Sequence, residues 1–204
     1  MVLNLRMESP PHPGRPEFWD TRYAAGQTPW NFGGVPQRLQ EYLRAHPRGG
    51  SVLIPGCGHG HEIEAFDAAG YRVTAVDFSR AAVEQARERL GPSHAERILL
   101  GDFFHHDFAD APFDAIYERT FLCALPPAQR RVYVERMAQL LKPGGALVGL
   151  FFYGTEHGGP PYELNPAEEP ALFRPHFVTV RDADVRDSQP MFAGKERWQE
   201  RRRA

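Results

Sequence analysis

The stretch "SVLIPGCGHGHE", residues 51–62, limits the fold more than any other part of the chain. Its first five residues read as a short buried strand, its three glycines stand at every second position, and a charged segment with helical spacing follows. Glycine has no Cβ, so such a chain turns sharply between strand and helix and brings its backbone close to a ligand. A strand, a tight loop and a helix in that order form the opening unit of a parallel α/β sheet.

The alternation continues downstream. The segment after Gly60 reads as a helix burying Ile63 and Phe66, with Gly70 at a left-handed cap position. "RVTAVD" is a second strand, and Ser79 is an N-cap for a helix that buries Val83, Ala86 and Leu90. "ERILL" and "FDAIYE" read as the next two strands. A helix with Val134, Met137 and Leu141 on one face then follows Pro126 and Pro127, and Pro143 and Gly144 stop it before the strand "ALVGLFFY". Near-continuous apolar strands separated by helices belong to a sheet covered on both faces, so the expected fold is doubly wound, mostly parallel α/β. With 204 residues, 42% of them hydrophobic, one core suffices. Residues 1–15 are expected to stay loose. Residues 16–48 form a cap segment with helices opening at Pro16 and Pro36, residues 51–153 the core, and residues 154–204 the remainder of the same domain.

Several functions are excluded at this stage. The net charge is −2 and the basic residues are scattered, except for Arg201, Arg202 and Arg203, which read as a solvated tail rather than a nucleic-acid handle. Two cysteines, no CxxC pair and no apolar leader point to a cytosolic protein without a disulfide framework or membrane span. His59 with His61, and "HHD" at 105–107, lack a third and fourth ligand at a metal spacing, so no metal is expected. Cys57 reads as a small residue packed in the loop and Cys123 as a buried, inert thiol.

Doubly wound sheets bind ligands beyond the carboxyl ends of their strands, where Gly56, Gly58 and Gly60 fall. Asp77 ends the second strand 21 residues after Gly56, and a carboxylate there can accept from both hydroxyls of a ribose. A dinucleotide loop needs G-x-G-x-x-G for its pyrophosphate, whereas this one is G-x-G-x-G followed by His61 and Glu62. A carboxylate beside the loop opposes a diphosphate and suits a zwitterionic amino acid, which favours S-adenosylmethionine over NAD. In "GDFF", Asp102 can accept the adenine amino group and Phe103 can cover the ring.

"IPGCGHGHE", "AVDFS", "GDFF" and "LKPGG" resemble the motifs of class I S-adenosylmethionine-dependent methyltransferases. "FWDTRYAAGQTPW" and "HGGPPYEL" resemble the thiopurine S-methyltransferase superfamily, with wording nearest its thiocyanate, halide and thiol methyltransferases. The resemblance covers roughly residues 17–200. It implies a seven-stranded Rossmann-like sheet with an N-terminal helical lid, a small-molecule acceptor and a monomer. It also implies that Trp19, Tyr23 and Trp30 close over the cofactor. The loop Gly56, Cys57 and Gly58 would pass beneath its methionine part, Asp77 beside Phe78 would hold the ribose, and Asp102 with Phe103 would take the adenine. Arg119 falls at a cofactor-contacting position where thiopurine enzymes carry arginine and many plant halide enzymes tyrosine.

Displacement at a sulfonium methyl needs no metal, and needs no general base when the acceptor is already an anion. Trp30, Phe32 and Tyr153 are the candidates for a dry acceptor pocket, and Arg119 for drawing an anion. An ion pair of Arg119 with Glu118 or Asp102 is the structural alternative. His157, in "GTEHGGPPYEL", is expected on the acceptor-side loop. Nothing in the sequence marks a dedicated base. The expected reaction is methyl transfer to a thiol, hydrosulfide, thiocyanate, halide or thiopurine-like acceptor. The alternatives are an oxygen, nitrogen or metalloid acceptor, an NAD-dependent oxidoreductase on a similar sheet, and a non-catalytic binding role.

Overall fold

The computed structural model describes residues 12–47 and 49–204. Most of the loose terminus expected at 1–15 lies outside the described residues. Within it, His12–Arg15 form a turn that Trp19 Nε1 ties down by donating to Pro13 O at 2.7 Å.

Helix α1 (Pro16–Ala24) opens with Pro16 at its first position, and α2 (Gln37–Ala45) follows Pro36 and buries Leu39, Tyr42 and Leu43. Strand β1 (Ser51–Pro55) then leads through the glycine loop into α3 (His61–Ala68). Next come β2 (Arg72–Asp77), α4 (Arg80–Leu90), the single turn α5 (Pro92–Ala95) and β3 (Ile98–Leu100). They are followed by β4 (Phe113–Arg119), α6 (Arg130–Leu140) and β5 (Leu141–Phe152), then α7 (Glu169–Phe173), β6 (Phe177–Asp184) and β7 (Glu196–Arg203). Ser79 caps α4 as expected, accepting from Ala82 N at 3.2 Å.

The sheet order is β3-β2-β1-β4-β5-β7-β6, parallel through β5, with β7 antiparallel to both of its neighbours. The chain moves outward from β1 to β3 and restarts on the other side at β4. The crevice between β1 and β4 is therefore the switch point at which such sheets bind ligands. The pleat sends Val52, Ile54, Ala115 and Tyr117 to one apolar layer with α2, α3 and α4, and Leu53, Ile116 and Phe151 to the other with α6 and α7.

Two expectations are corrected. Leu141 begins β5 instead of ending α6, and Pro143 and Gly144 lie in an irregularity of that strand, where the register with β4 shifts between Phe113 and Ala115. Arg201, Arg202 and Arg203 form part of β7, not a tail. Arg201 is fully buried, stacked over Phe173 at 3.9 Å and Phe151 at 4.3 Å and paired with Glu169. A guanidinium packs flat on aromatic rings, so charge alone misplaced it.

Candidate active site

A cavity of about 360 Å³ opens at the switch point. Its floor is the glycine loop. Gly56, Gly58 and Gly60 have φ of 58°, 52° and 67°, the left-handed region. A Cβ on Gly58 would lie 2.6 Å from Tyr23 Oη, so the loop and the wall opposite meet with no room for a side chain. Arg89 of α4 clamps the loop from outside, donating to His59 O at 3.0 Å and Gly60 O at 2.8 Å.

Asp77 stands at the end of β2, buried, with Oδ2 accepting from Gly58 N and Oδ1 from Ser79 N, both at 2.9 Å. Burial pushes its carboxyl up to about 6, against the pull of those two N–H groups. A carboxylate has about four lone-pair sites, so two remain for hydroxyl donors.

The wall is aromatic. Trp19 and Trp30 meet edge to face at 5.4 Å, Tyr23 and Trp30 at 5.9 Å, and Trp30 Nε1 donates to Tyr23 Oη at 3.4 Å. Phe121, Met191, Phe192, Pro160 and Pro161 enclose the other side.

A buried ion pair lies at the ends of α3 and β4. Arg119 Nη1 stands 3.4 Å from Glu62 Oε1, with side-chain exposures of only 10% and 7%. Glu62 is raised by burial and lowered by Arg119. Arg119 Nε and Tyr117 Oη, both of cavity-lining residues, are buried and have no hydrogen-bond partner among the described residues. Orphaned polar atoms beside a cavity are the mark of a site shaped for a ligand that carries the missing partners.

Trp19, Tyr23, Trp30, Gly56, Cys57, Gly58, Asp77, Phe78 and Arg119 all line this cavity. Other candidates stand outside the lining. Asp102 is exposed, with Oδ1 accepting from Phe104 N at 2.9 Å and Oδ2 paired to His105 Nδ1 at 2.8 Å, an Asx turn that uses both oxygens locally. Phe103 is buried behind the lining residue Phe121, ring centroids 5.2 Å apart. Phe32 stacks on Arg119 at 5.0 Å, behind the lining, and His157 is exposed on its loop.

Tyr153, expected in the acceptor pocket, is turned away. It follows Phe151 on the opposite face of β5, and its hydroxyl donates to Gln199 Oε1 at 2.6 Å. Tyr153→Phe removes two buried hydrogen bonds, one to Gln199 and one from Arg201 Nη2 at 3.5 Å, and is accordingly expected to cost stability about 2–4 kcal/mol and to leave cofactor affinity within twofold. Thermal unfolding and calorimetric titration check both halves.

Arg119 pairs with Glu62 rather than with Glu118 or Asp102. Glu118 points through the other face of β4, accepting from Phe121 N at 3.0 Å, Leu122 N at 2.9 Å and Tyr133 Oη at 2.6 Å. Burial pushes it up to about 7. It holds the turn at Thr120 (φ 57°) and so sets Phe121 against the cavity, a role signalled by an acid inside an apolar strand and not read from the sequence.

The sheet order and the cavity at its switch point define a class I methyltransferase fold. Similar solved structures include the Burkholderia thailandensis 1,6-didemethyltoxoflavin-N1-methyltransferase with bound S-adenosylhomocysteine (TM-score 0.71, 23% identity, 93% of this chain and 87% of that one). The glycopeptide N-methyltransferase MtfA complexed with S-adenosylmethionine is another (TM-score 0.64, 19% identity, 82% and 93%). The family profile described as Thiopurine S-methyltransferase (TPMT) matches residues 14–203, and the chain belongs to that family of S-adenosylmethionine-dependent enzymes.

Curated relatives include a probable thiol methyltransferase 2 of Arabidopsis thaliana, 35% identical over 155 residues (74% of this chain, 68% of the relative). Others are thiocyanate methyltransferase 1 of the same plant (31%; 88% and 83%) and a thiopurine S-methyltransferase of Vibrio atlanticus (32%; 88% and 91%). Among the described residues no helix is long and apolar enough to cross a membrane.

Proposed function

We propose that the chain transfers the methyl group of S-adenosylmethionine to a small soft nucleophile that arrives as an anion: a thiolate, hydrosulfide, thiocyanate, halide or thiopurine-like thiolate. When bound, the cofactor supplies a methyl group on a sulfonium, open to in-line displacement. Asp77 accepts the ribose hydroxyls, the glycine loop passes beneath the amino-acid end, and Glu62 meets its ammonium. Trp19, Tyr23 and Trp30 cover it and exclude water. Phe103 and Asp102 keep a place in this reading only at the adenine end, beyond Phe121.

The observation that carries the acceptor class is Arg119. It is a fixed cation buried at the end of β4, with Nε unpartnered beside the cavity. The bases nearby are poor. Burial and Arg89 lower His59, and burial first, then Arg89, lowers His61 to about 4. A neutral acceptor would find these weak imidazoles and the carboxylates of Asp77 and Glu62, which this reading commits to the cofactor, whereas an anion needs no base. The aromatic walls strip water from the anion and hold it near the methyl group. His157 and Phe32 would act from the rim, on the acceptor-side loop and behind Arg119.

The pH dependence tests this reading. At saturating cofactor and between pH 7 and 9.5, kcat/KM for thiols of different acidity is expected to break at each thiol's own pKa. For thiocyanate and iodide, ionised throughout, it should stay flat. A common break shared by every acceptor would point to an enzymic base and remove the anion requirement.

A further inference from the structure

Asp20, on the N-terminal cap, makes contacts that reach the core beside the ribose site rather than solvent. Asp20 Oδ1 accepts from Ser79 Oγ at 2.6 Å and from Ala81 N at 3.0 Å, at the N-terminus of the 11-residue α4. One turn on, Tyr23 O accepts from Gln85 Nε2 at 3.0 Å. Ser79 N donates in turn to Asp77. Residues 19 and 23 flank Asp20 on α1, and both line the cavity.

We infer that Asp20 is a positioning residue for cofactor binding, a latch that fixes the Trp19–Tyr23 wall of α1 to the helix start beside Asp77. The inference rests on the assignment of that wall and of Asp77 to S-adenosylmethionine. Its chemistry is that of an N-terminal cap supplied from another helix. A carboxylate satisfies an orphan N–H and a hydroxyl at the positive end of α4, and α1 is carried with it.

The latch has an electrostatic consequence. The ionisable groups that bear on Asp77 are Asp20 and Tyr23 from α1 and Cys57 from the loop, while α4 and its lead-in offer the N–H groups of Ser79 and Phe78. Burial pushes Tyr23 and Cys57 upward, so both are neutral near pH 7 and Asp20 is the charge that opposes ionisation of Asp77. Cofactor hydroxyls bind the ionised form, so affinity falls below the pH at which Asp77 takes up a proton. Removing the Asp20 charge moves that break to lower pH.

Titration calorimetry of S-adenosylhomocysteine into wild type, Asp20→Asn and Asp20→Ala between pH 5 and 8.5 tests the latch. Asp20→Ala is expected to raise Kd at pH 8 at least about fivefold, the size of one lost cap. Asp20→Asn keeps the acceptor oxygen and should lose less. Its acid break should nonetheless move to lower pH, because a neighbouring negative charge that held the Asp77 carboxyl up is gone. Affinity of Asp20→Ala within twofold of wild type at pH 8, or a break that stays in place in Asp20→Asn, would overturn the latch. Wild-type protein that binds no S-adenosylhomocysteine would remove the cofactor assignment beneath it.

Discussion

Asp77→Asn is expected to weaken S-adenosylhomocysteine binding at least about a hundredfold while leaving the unliganded fold at pH 7.5 as stable as wild type or more so. The binding loss follows from two hydroxyl-to-carboxylate bonds, each worth about 1.5–3 kcal/mol. The stability result follows from linkage. Burial raises the folded carboxyl from 3.8 to about 6, so its stabilising contribution is present below pH 4 and lost as pH rises through 6. That shift corresponds to roughly 3 kcal/mol carried by the ionised wild type at neutral pH. Asparagine does not ionise and escapes it, though its amide turns an N–H toward one of the two backbone donors, a penalty of about 1–3 kcal/mol. Thermal unfolding at pH 7.5 and 4.5 separates these effects, because the wild type recovers its protonated form at the lower pH and should then match or exceed the variant. Affinity retained within tenfold would show that Asp77 serves only to hold Gly58 and Ser79.

Arg119→Met should lower kcat/KM for anionic acceptors by about a hundredfold or more, on the scale of losing one preorganised charge in a dry site. It should also destabilise the fold, since breaking a buried pair costs about 3–5 kcal/mol and leaves the Glu62 carboxyl, already raised by burial, without its cation. The double variant Glu62→Gln/Arg119→Met removes both charges. Stability should return toward wild type, while kcat/KM for the acceptor, read at saturating cofactor so that the lost Glu62–ammonium contact does not limit it, stays low, which separates the two roles of the pair. Recovery of activity in the double variant would mean that Arg119 does no more than neutralise Glu62.

The α/β alternation, the glycine loop and Asp77 were readable because each rests on local pattern: apolar runs, missing Cβ atoms and an acid at a strand end. What sequence left out depends on which face a strand presents. Period two placed Phe151 and Tyr153 together over α6 and α7, so an aromatic offered for the acceptor pocket belongs to the opposite layer. The same pleat turned Glu118 away from Arg119 and left Glu62, 57 residues earlier in the chain, as its partner. Asp102 stands outside the lining for a different reason: an aspartate in a tight turn engages its own backbone and a neighbouring imidazole first. Asp20 carried no signal, because a cap borrowed by one helix from another has no fixed spacing.

The most direct measurement is transfer of labelled methyl from S-adenosylmethionine to a panel of hydrosulfide, small thiols, thiocyanate, iodide and an aromatic thiopurine, set beside neutral amine and alcohol acceptors. Methylation of one or more of the anions, absent from the neutral acceptors and collapsing in Arg119→Met, is the expected result. A protein that binds S-adenosylhomocysteine yet methylates an amine or alcohol in preference to every anion would contradict it.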